Sequence, residues 1–142
     1  MKGIHHIAII GADYARSRRF YAEILGFPVL HEVYRAERRS WKCDLDAGNA
    51  RIELFSFPDA PPRPSRPEAQ GLRHLAFAVD DLDAEIARLA GLNVASEPVR
   101  VDPYTGRRFT FFADPDGLPL ELYEAGEPQA ALEEARAPGG GV

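Results

Sequence analysis

Two short strings recur in this chain at one fixed separation, and a duplicated unit constrains architecture more than any single motif does. His6-Ile7-Ala8-Ile9 returns as His74-Leu75-Ala76-Phe77, and Ile52-Glu53-Leu54-Phe55 returns as Leu120-Glu121-Leu122-Tyr123. Each pair of strings lies 68 positions apart (6 to 74, 53 to 121). Each copy therefore carries one His and one Glu at matching places, inside apolar runs that favour strands. The chain reads as two versions of one supersecondary unit, related by a pseudo-twofold axis.

The remaining residues fit the same plan. Residues 4–10 read as a strand ending at Gly11. Asp13 is an N-cap for a helix over about 14–25, with Phe20, Tyr21, Ile24 and Leu25 on its apolar side and Gly26 as its stop. Strands follow near 28–35, 41–47 and 51–57, and Gly48-Asn49 turns between the last two. The Pro-rich stretch from Pro58 through Pro67, containing Pro61-Pro62-Arg63-Pro64-Ser65-Arg66, cannot continue a sheet and reads as an extended connector. The second copy opens with a strand at 73–79. Asp80 or Asp81 then caps a helix with Leu82, Ile86 and Leu89 inward, closing at Gly91. Strands near 94–101, 107–113 and 119–124 complete it, with Asp114-Pro115-Asp116-Gly117 as the last hairpin turn. Both halves thus read β-α-β-β-β. A short helix is expected around 128–136, and Gly139-Gly140-Gly141 reads as a frayed end.

Composition narrows the function classes. A chain of 142 residues with 45% hydrophobic and 27% charged side chains is an ordinary globular protein. A formal net charge of −5 disfavours nucleic acid or an anionic membrane as a partner. One cysteine, Cys43, excludes an internal disulfide and fits a reducing cytoplasm. No apolar run approaches the ~18 residues of a membrane span, so a cytoplasmic location is expected.

Strand alternation sorts the copies into faces. His6, Ala8 and Ile10 share one face, as do His74, Ala76 and Ala78. The smaller face suits a concave sheet interior with room for a ligand, and the bulkier face suits packing against a helix. Glu53 and Glu121 each sit between apolar neighbours, where a carboxylate is costly unless paired, hydrogen-bonded or bound to metal. Two imidazoles and two carboxylates neutralise a divalent cation, and they suit Zn, Ni, Co, Fe or Mn better than a metal preferring thiolates.

These strings, with Phe20-Tyr21, Leu25-Gly26-Phe27 and Asp114-Pro115-Asp116-Gly117, resemble the vicinal oxygen chelate superfamily. The four-ligand set resembles glyoxalase I (lactoylglutathione lyase). The resemblance runs from about His5 to Glu124. It implies an α+β fold in which two βαβββ modules form an incomplete eight-stranded barrel around a metal site. One domain would span 1–127, with module one at about 4–57, the connector at 58–72, module two at about 73–124, and a tail at 128–142. It also implies His6, Glu53, His74 and Glu121 as metal ligands, and Glu121 as catalytic base with Glu53 as its counterpart. The reaction implied converts a hemithioacetal of methylglyoxal and a thiol, with glutathione as candidate cosubstrate, to a 2-hydroxyacyl thioester through an enediolate. Glu53 favours this branch over ring-cleaving Fe(II) dioxygenases, which lack an acidic ligand there. A full ligand set likewise disfavours the non-catalytic binding and resistance proteins of the same fold.

Further residues are candidates for contact with a small-molecule substrate. Trp41, Tyr104, Phe109 and Phe111 could wall a cleft, although aromatic strand residues are more often core. Lys42, Arg63, Arg66 and Arg108 could bind an anionic group. His5 is expected to point away from His6 and serve structure, His31 to be exposed, and Cys43 to be buried and inert. A homodimer is expected, because closed twofold assemblies are the commonest. The two modules could pair within one chain or across that dimer.

Overall fold

The inner strands bury alternate side chains, and the strand pairings reproduce the spacing of the repeat. The computed structural model describes residues 1–57 and 59–125. The helix read at 128–136 and the frayed glycine end lie outside the described residues. In chain order the main elements are β1 (His6–Gly11), α1 (Tyr14–Arg18), β2 (Val29–Arg35), β3 (Ser40–Asp46), β4 (Arg51–Ser56), β5 (Leu75–Val79), α2 (Leu82–Gly91), β6 (Arg100–Val101), β7 (Arg108–Ala113) and β8 (Pro119–Glu124). They build two four-stranded sheets, ordered β1-β4-β3-β2 and β5-β8-β7-β6. The architecture is thus α+β with two βαβββ modules, as the repeat predicts. Internal contacts divide the chain into two compact units. The first holds Met1–Arg73 with Ala113–Leu118, and the second holds His74–Phe112 with the described residues that follow Leu118.

In the first unit β1 runs parallel to β4, with Ala8 opposite Glu53, and β3 is antiparallel to both β4 and β2. The helix-side face buries Ile9, Ile52, Leu54, Cys43 and Leu45 against Phe20 and Tyr21. Each fully buried aliphatic or aromatic side chain contributes about 1.5–3 kcal/mol. Asp13 caps α1 as expected, its Oδ1 accepting from the Arg16 N–H at 2.9 Å. Gly11 ends β1 where a Cβ would stand 2.2 Å from Ser17 Oγ, so only glycine lets the helix approach. The helix read over 14–25 is α-helical only to Arg18 and continues as a π-helix over Arg19–Ile24. There the Leu25 N–H reaches the Phe20 carbonyl, five residues back, at 2.8 Å. Phe20 and Tyr21 are buried as the apolar pattern predicts, but the hydrogen bonding there widens from four residues to five.

The turn Asp114–Gly117 belongs to this unit too. The Gly117 N–H bonds the Asp114 carbonyl at 3.1 Å, and Asp114 Oδ1 accepts from the N–H groups of Asp116 and Leu118. The Tyr21 hydroxyl donates to Asp114 Oδ2 at 2.8 Å. Burial first, and the Asp114 carboxylate second, push the Tyr21 phenol well above its ordinary pKa.

The second unit repeats the register, with β5 parallel to β8 and Ala76 opposite Glu121. Asp81 rather than Asp80 caps α2, accepting from the Ala84 N–H at 2.9 Å. The two helix caps, Asp13 and Asp81, therefore fall at the same 68-residue spacing as the strings. Leu82 and Leu89 are fully buried with Phe112, Leu120 and Leu122. The left-handed residue after α2 is Asn93, with φ 61°, and not Gly91, which is the last helical residue. Asn tolerates this conformation better than other side chains do. The strand read over 94–101 forms only at Arg100–Val101. Pro98 has no N–H to give the ladder, so the approach to β6 is tied by single bonds. The Glu97 N–H donates to the Phe111 carbonyl at 2.8 Å, and Thr110 Oγ1 donates to the Glu97 carbonyl at 2.6 Å.

Candidate metal centre

Each unit brings one of the predicted His–Glu pairs together. In the first, Glu53 faces Ala8 across the β1–β4 pairing, and His6 lies two residues earlier on the same face. His6 Nε2 stands 3.6 Å from Glu53 Oε2. Glu53 Oε1 is also 3.4 Å from Lys42 Nζ, and Lys42 is hydrogen-bonded to Asp44 in turn. Burial pulls the Lys42 pKa down, but Asp44 and then Glu53 outweigh it and hold the ammonium above its usual value. Lys42, read from the sequence as a substrate contact, thus sits within a carboxylate network.

His5 departs from its expected role. It precedes β1, so strand alternation does not govern it, and its Nδ1 lies 2.9 Å from His6 Nδ1. One of these nitrogens donates to the other, and the rings meet edge to face at 5.2 Å. The contact occupies the Nδ1 side of His6 and leaves Nε2 directed at Glu53. Ligating imidazoles are commonly held through their second nitrogen in this way. No sequence signal beyond adjacency marks His5.

The second pair is tighter. His74 Nε2 lies 3.0 Å from Glu121 Oε2, and the His74 ring meets Phe111 edge-on at 5.0 Å. Glu121 is only 8% exposed, and among the described residues no Lys or Arg pairs with it. Tyr123, two residues along the same face, donates its hydroxyl to Asp102 Oδ2 at 2.9 Å and also contacts Thr105 Oγ1. Burial raises the Tyr123 pKa, and Asp102 adds to that against Thr105. The backbone N–H of Tyr104 and the Tyr123 hydroxyl hold Asp102 below the usual carboxylate range.

The other candidates fall in varied places. Trp41 lies on the helix-side face, stacked on Tyr14 at 4.9 Å and tilted against Tyr34 at 5.3 Å. Phe109 stacks on Tyr123 at 6.2 Å and meets Phe111 edge to face. Arg108 is ion-paired with Asp83 and Glu124. Tyr104 is 82% exposed. Arg66 lies in the connector, where Arg63 bonds Ser65 Oγ and the Leu72 carbonyl. His31 is exposed, and Cys43 is buried with its thiol pKa raised chiefly by that burial.

No three or more His, Cys, Asp or Glu side chains among the described residues group so as to hold a metal ion. Each unit presents one imidazole nitrogen beside one carboxylate oxygen. The donor chemistry fits a borderline or hard divalent ion and not a thiophilic one. No helix among the described residues is long and apolar enough to cross a membrane.

Comparison with known proteins places the chain in a family. The chain is 66% identical to the protein YaeR of Escherichia coli K12, over 87% of this chain and 97% of that one. It is 31% identical to a 2-epi-5-epi-valiolone epimerase of Actinomyces, over 94% and 86% of the respective chains. The solved structure of a glyoxalase family protein from Enterococcus faecalis superposes with a TM-score of 0.82 at 50% identity, covering 87% of this chain and 98% of that one. The family model matches residues 3–122, so the chain belongs to the glyoxalase/bleomycin resistance protein/dioxygenase superfamily.

Proposed function

We propose that the protein is a metal-dependent lyase or isomerase of the glyoxalase I type. In this reading His6, Glu53, His74 and Glu121 together hold one divalent ion, drawn from Ni, Zn, Co, Fe or Mn. The two half-sets meet either within one chain or across a homodimer. The observation that carries the reading is the His–Glu pair that recurs in both units on the same strands and in the same register. When bound, the ion would polarise two vicinal oxygens of the substrate as a Lewis acid.

The residues then divide the work. Glu121 takes the carbon-bound proton from one carbon of a hemithioacetal and returns it to the neighbouring carbon. The substrate combines methylglyoxal with a thiol such as glutathione, and the product is a 2-hydroxyacyl thioester. Glu121 suits this role better than Glu53 does. Glu53 is engaged by an ammonium 3.4 Å away, whereas Glu121 is buried beside an imidazole. His5 and Lys42 orient His6 and Glu53. Phe109 and Phe111 present apolar surface beside His74.

Elemental analysis of the purified protein, followed by assay of lactoylthiol formation with each metal restored, tests the proposal. Turnover of methylglyoxal and glutathione at about 10⁴ M⁻¹s⁻¹ or above supports it. Glu121→Gln should retain much of the metal and lose turnover. Unchanged kcat in a metal-bound Glu121→Gln variant refutes the assignment. A relative named as an epimerase makes proton transfer on a non-thiol substrate the second reading, and a trace rate with every thiol would favour it.

A further inference from the structure

On the Glu53 face of the first unit, a cation stands without a counter-charge. Arg35 ends β2, opposite Ser40 of β3. Its guanidinium lies 4.9 Å from the Phe55 ring centroid and 5.8 Å from that of Phe57. These two rings are parallel to within 9°. Nη2 donates to Ser40 Oγ at 3.1 Å, but Nε is buried with no hydrogen-bond partner. Among the described residues no carboxylate pairs with Arg35. Aromatic faces offset part of the cost of holding a cation away from water, about 0.5–2 kcal/mol, but they satisfy none of its N–H donors.

The second unit supplies an internal comparison. Arg100 lies over Phe109 and Phe111 at 5.2 and 5.3 Å, yet it is ion-paired with Glu97 at 3.0 Å. The same cation–aromatic arrangement is neutralised in one unit and left open in the other. Lys42, the neighbouring cation, is taken up by Asp44 and Glu53. Arg35 is therefore the group on this face with donors to spare, and guanidinium donors match a planar or tetrahedral oxyanion.

We propose that Arg35, cradled by Phe55 and Phe57, is the receptor for an oxyanion carried by the substrate, a carboxylate or a phosphate. Phe55 is two residues beyond Glu53 on β4, roughly 7 Å along the strand. The substrate is thus a small oxygenated metabolite with its anionic group a few bonds from the oxygens handled at Glu53. That placement rests on the function proposed above, but the anion contact does not.

The two are separated by working on chelator-treated protein. In a ¹⁵N-labelled sample, the Arg35 Nε–H resonance is followed during titration with inorganic phosphate and, separately, with acetate at constant ionic strength. The resonance should shift saturably with at least one of them, and the more effective anion tells a phosphate from a carboxylate substrate. Read from the backbone amide shifts of Phe55 and Phe57, because the variants lack the Arg35 reporter, Arg35→Gln should weaken binding at least about tenfold. Arg35→Lys should fall between, keeping charge but not the fork, and Arg100→Gln should match wild type. An Arg35 Nε–H resonance unmoved by both anions overturns the proposal, as does a folded Arg35→Gln or Arg35→Lys protein binding phosphate like wild type. A shift that persists in a protein unable to bind metal leaves the anion contact standing and removes only the catalytic setting.

Discussion

Replacing Tyr21 by Phe removes one hydroxyl from the centre of the first unit and leaves the ring packing in place. Tyr21 is fully buried, Asp114 is 6% exposed, and the hydroxyl donates to Asp114 Oδ2 at 2.8 Å. Without it, Asp114 keeps the Asp116 and Leu118 N–H groups on Oδ1 but loses the donor to its other oxygen. A hydrogen bond to a charged group contributes about 1.5–3 kcal/mol, so Tyr21→Phe should lower Tm by roughly 4–10 °C. The alkaline limb gives a second signature. The folded-state pKa of Tyr21 lies above the ordinary value of 10.0, so above about pH 10 the unfolded chain releases a proton that the native state keeps. Stability from this group is complete below that point and falls as pH rises through it, by about 1.4 kcal/mol per pH unit. Tyr14 is shifted the same way, by burial and by Glu32, but it is present in both proteins and cancels in the comparison. Urea denaturation followed by circular dichroism, at neutral pH and between about pH 9 and 11, measures both effects. A variant within about 0.5 kcal/mol of wild type, with an unchanged alkaline slope, would show that the Tyr21–Asp114 bond does not hold the turn.

Two other substitutions probe different links. Gly11→Ala places a methyl 2.2 Å from Ser17 Oγ and should cost about 1–3 kcal/mol by overpacking. The double variant with Ser17→Ala should recover part of that, and equal stability of wild type and Gly11→Ala would refute the close approach. His5→Ala removes the partner 2.9 Å from His6 Nδ1 and should weaken divalent-metal binding about 10–100-fold with little loss of stability. Competition against a chromophoric chelator reads it, and unchanged affinity would reduce His5 to a surface residue.

Much of this was legible in the sequence because a repeat constrains twice. The shared spacing of His6 with His74, and of Glu53 with Glu121, put both copies at matching strand positions, and the observed registers carry the same spacing. Asp13 and both turn sequences were readable because capping and turn chemistry are local. Features set by tertiary contact were not. The π-helical Arg19–Ile24 segment breaks the period on which helix reading relies. The short β6 follows from Pro98, whose missing donor interrupts the run read as one strand. His5 was assigned to the opposite face by an alternation that does not begin until β1 does. Arg35 went unmarked because nothing in a single sequence tells a paired arginine from an unpaired one.

The most direct test counts metal ions. Protein stripped with chelator and titrated with Ni or Zn, with stoichiometry read by elemental analysis, should bind one ion per chain. Either His6→Ala or His74→Ala alone should weaken that single site by orders of magnitude, because one His comes from each unit. Two independent ions per chain, or one ion indifferent to either substitution, would contradict a centre shared by the two His–Glu pairs.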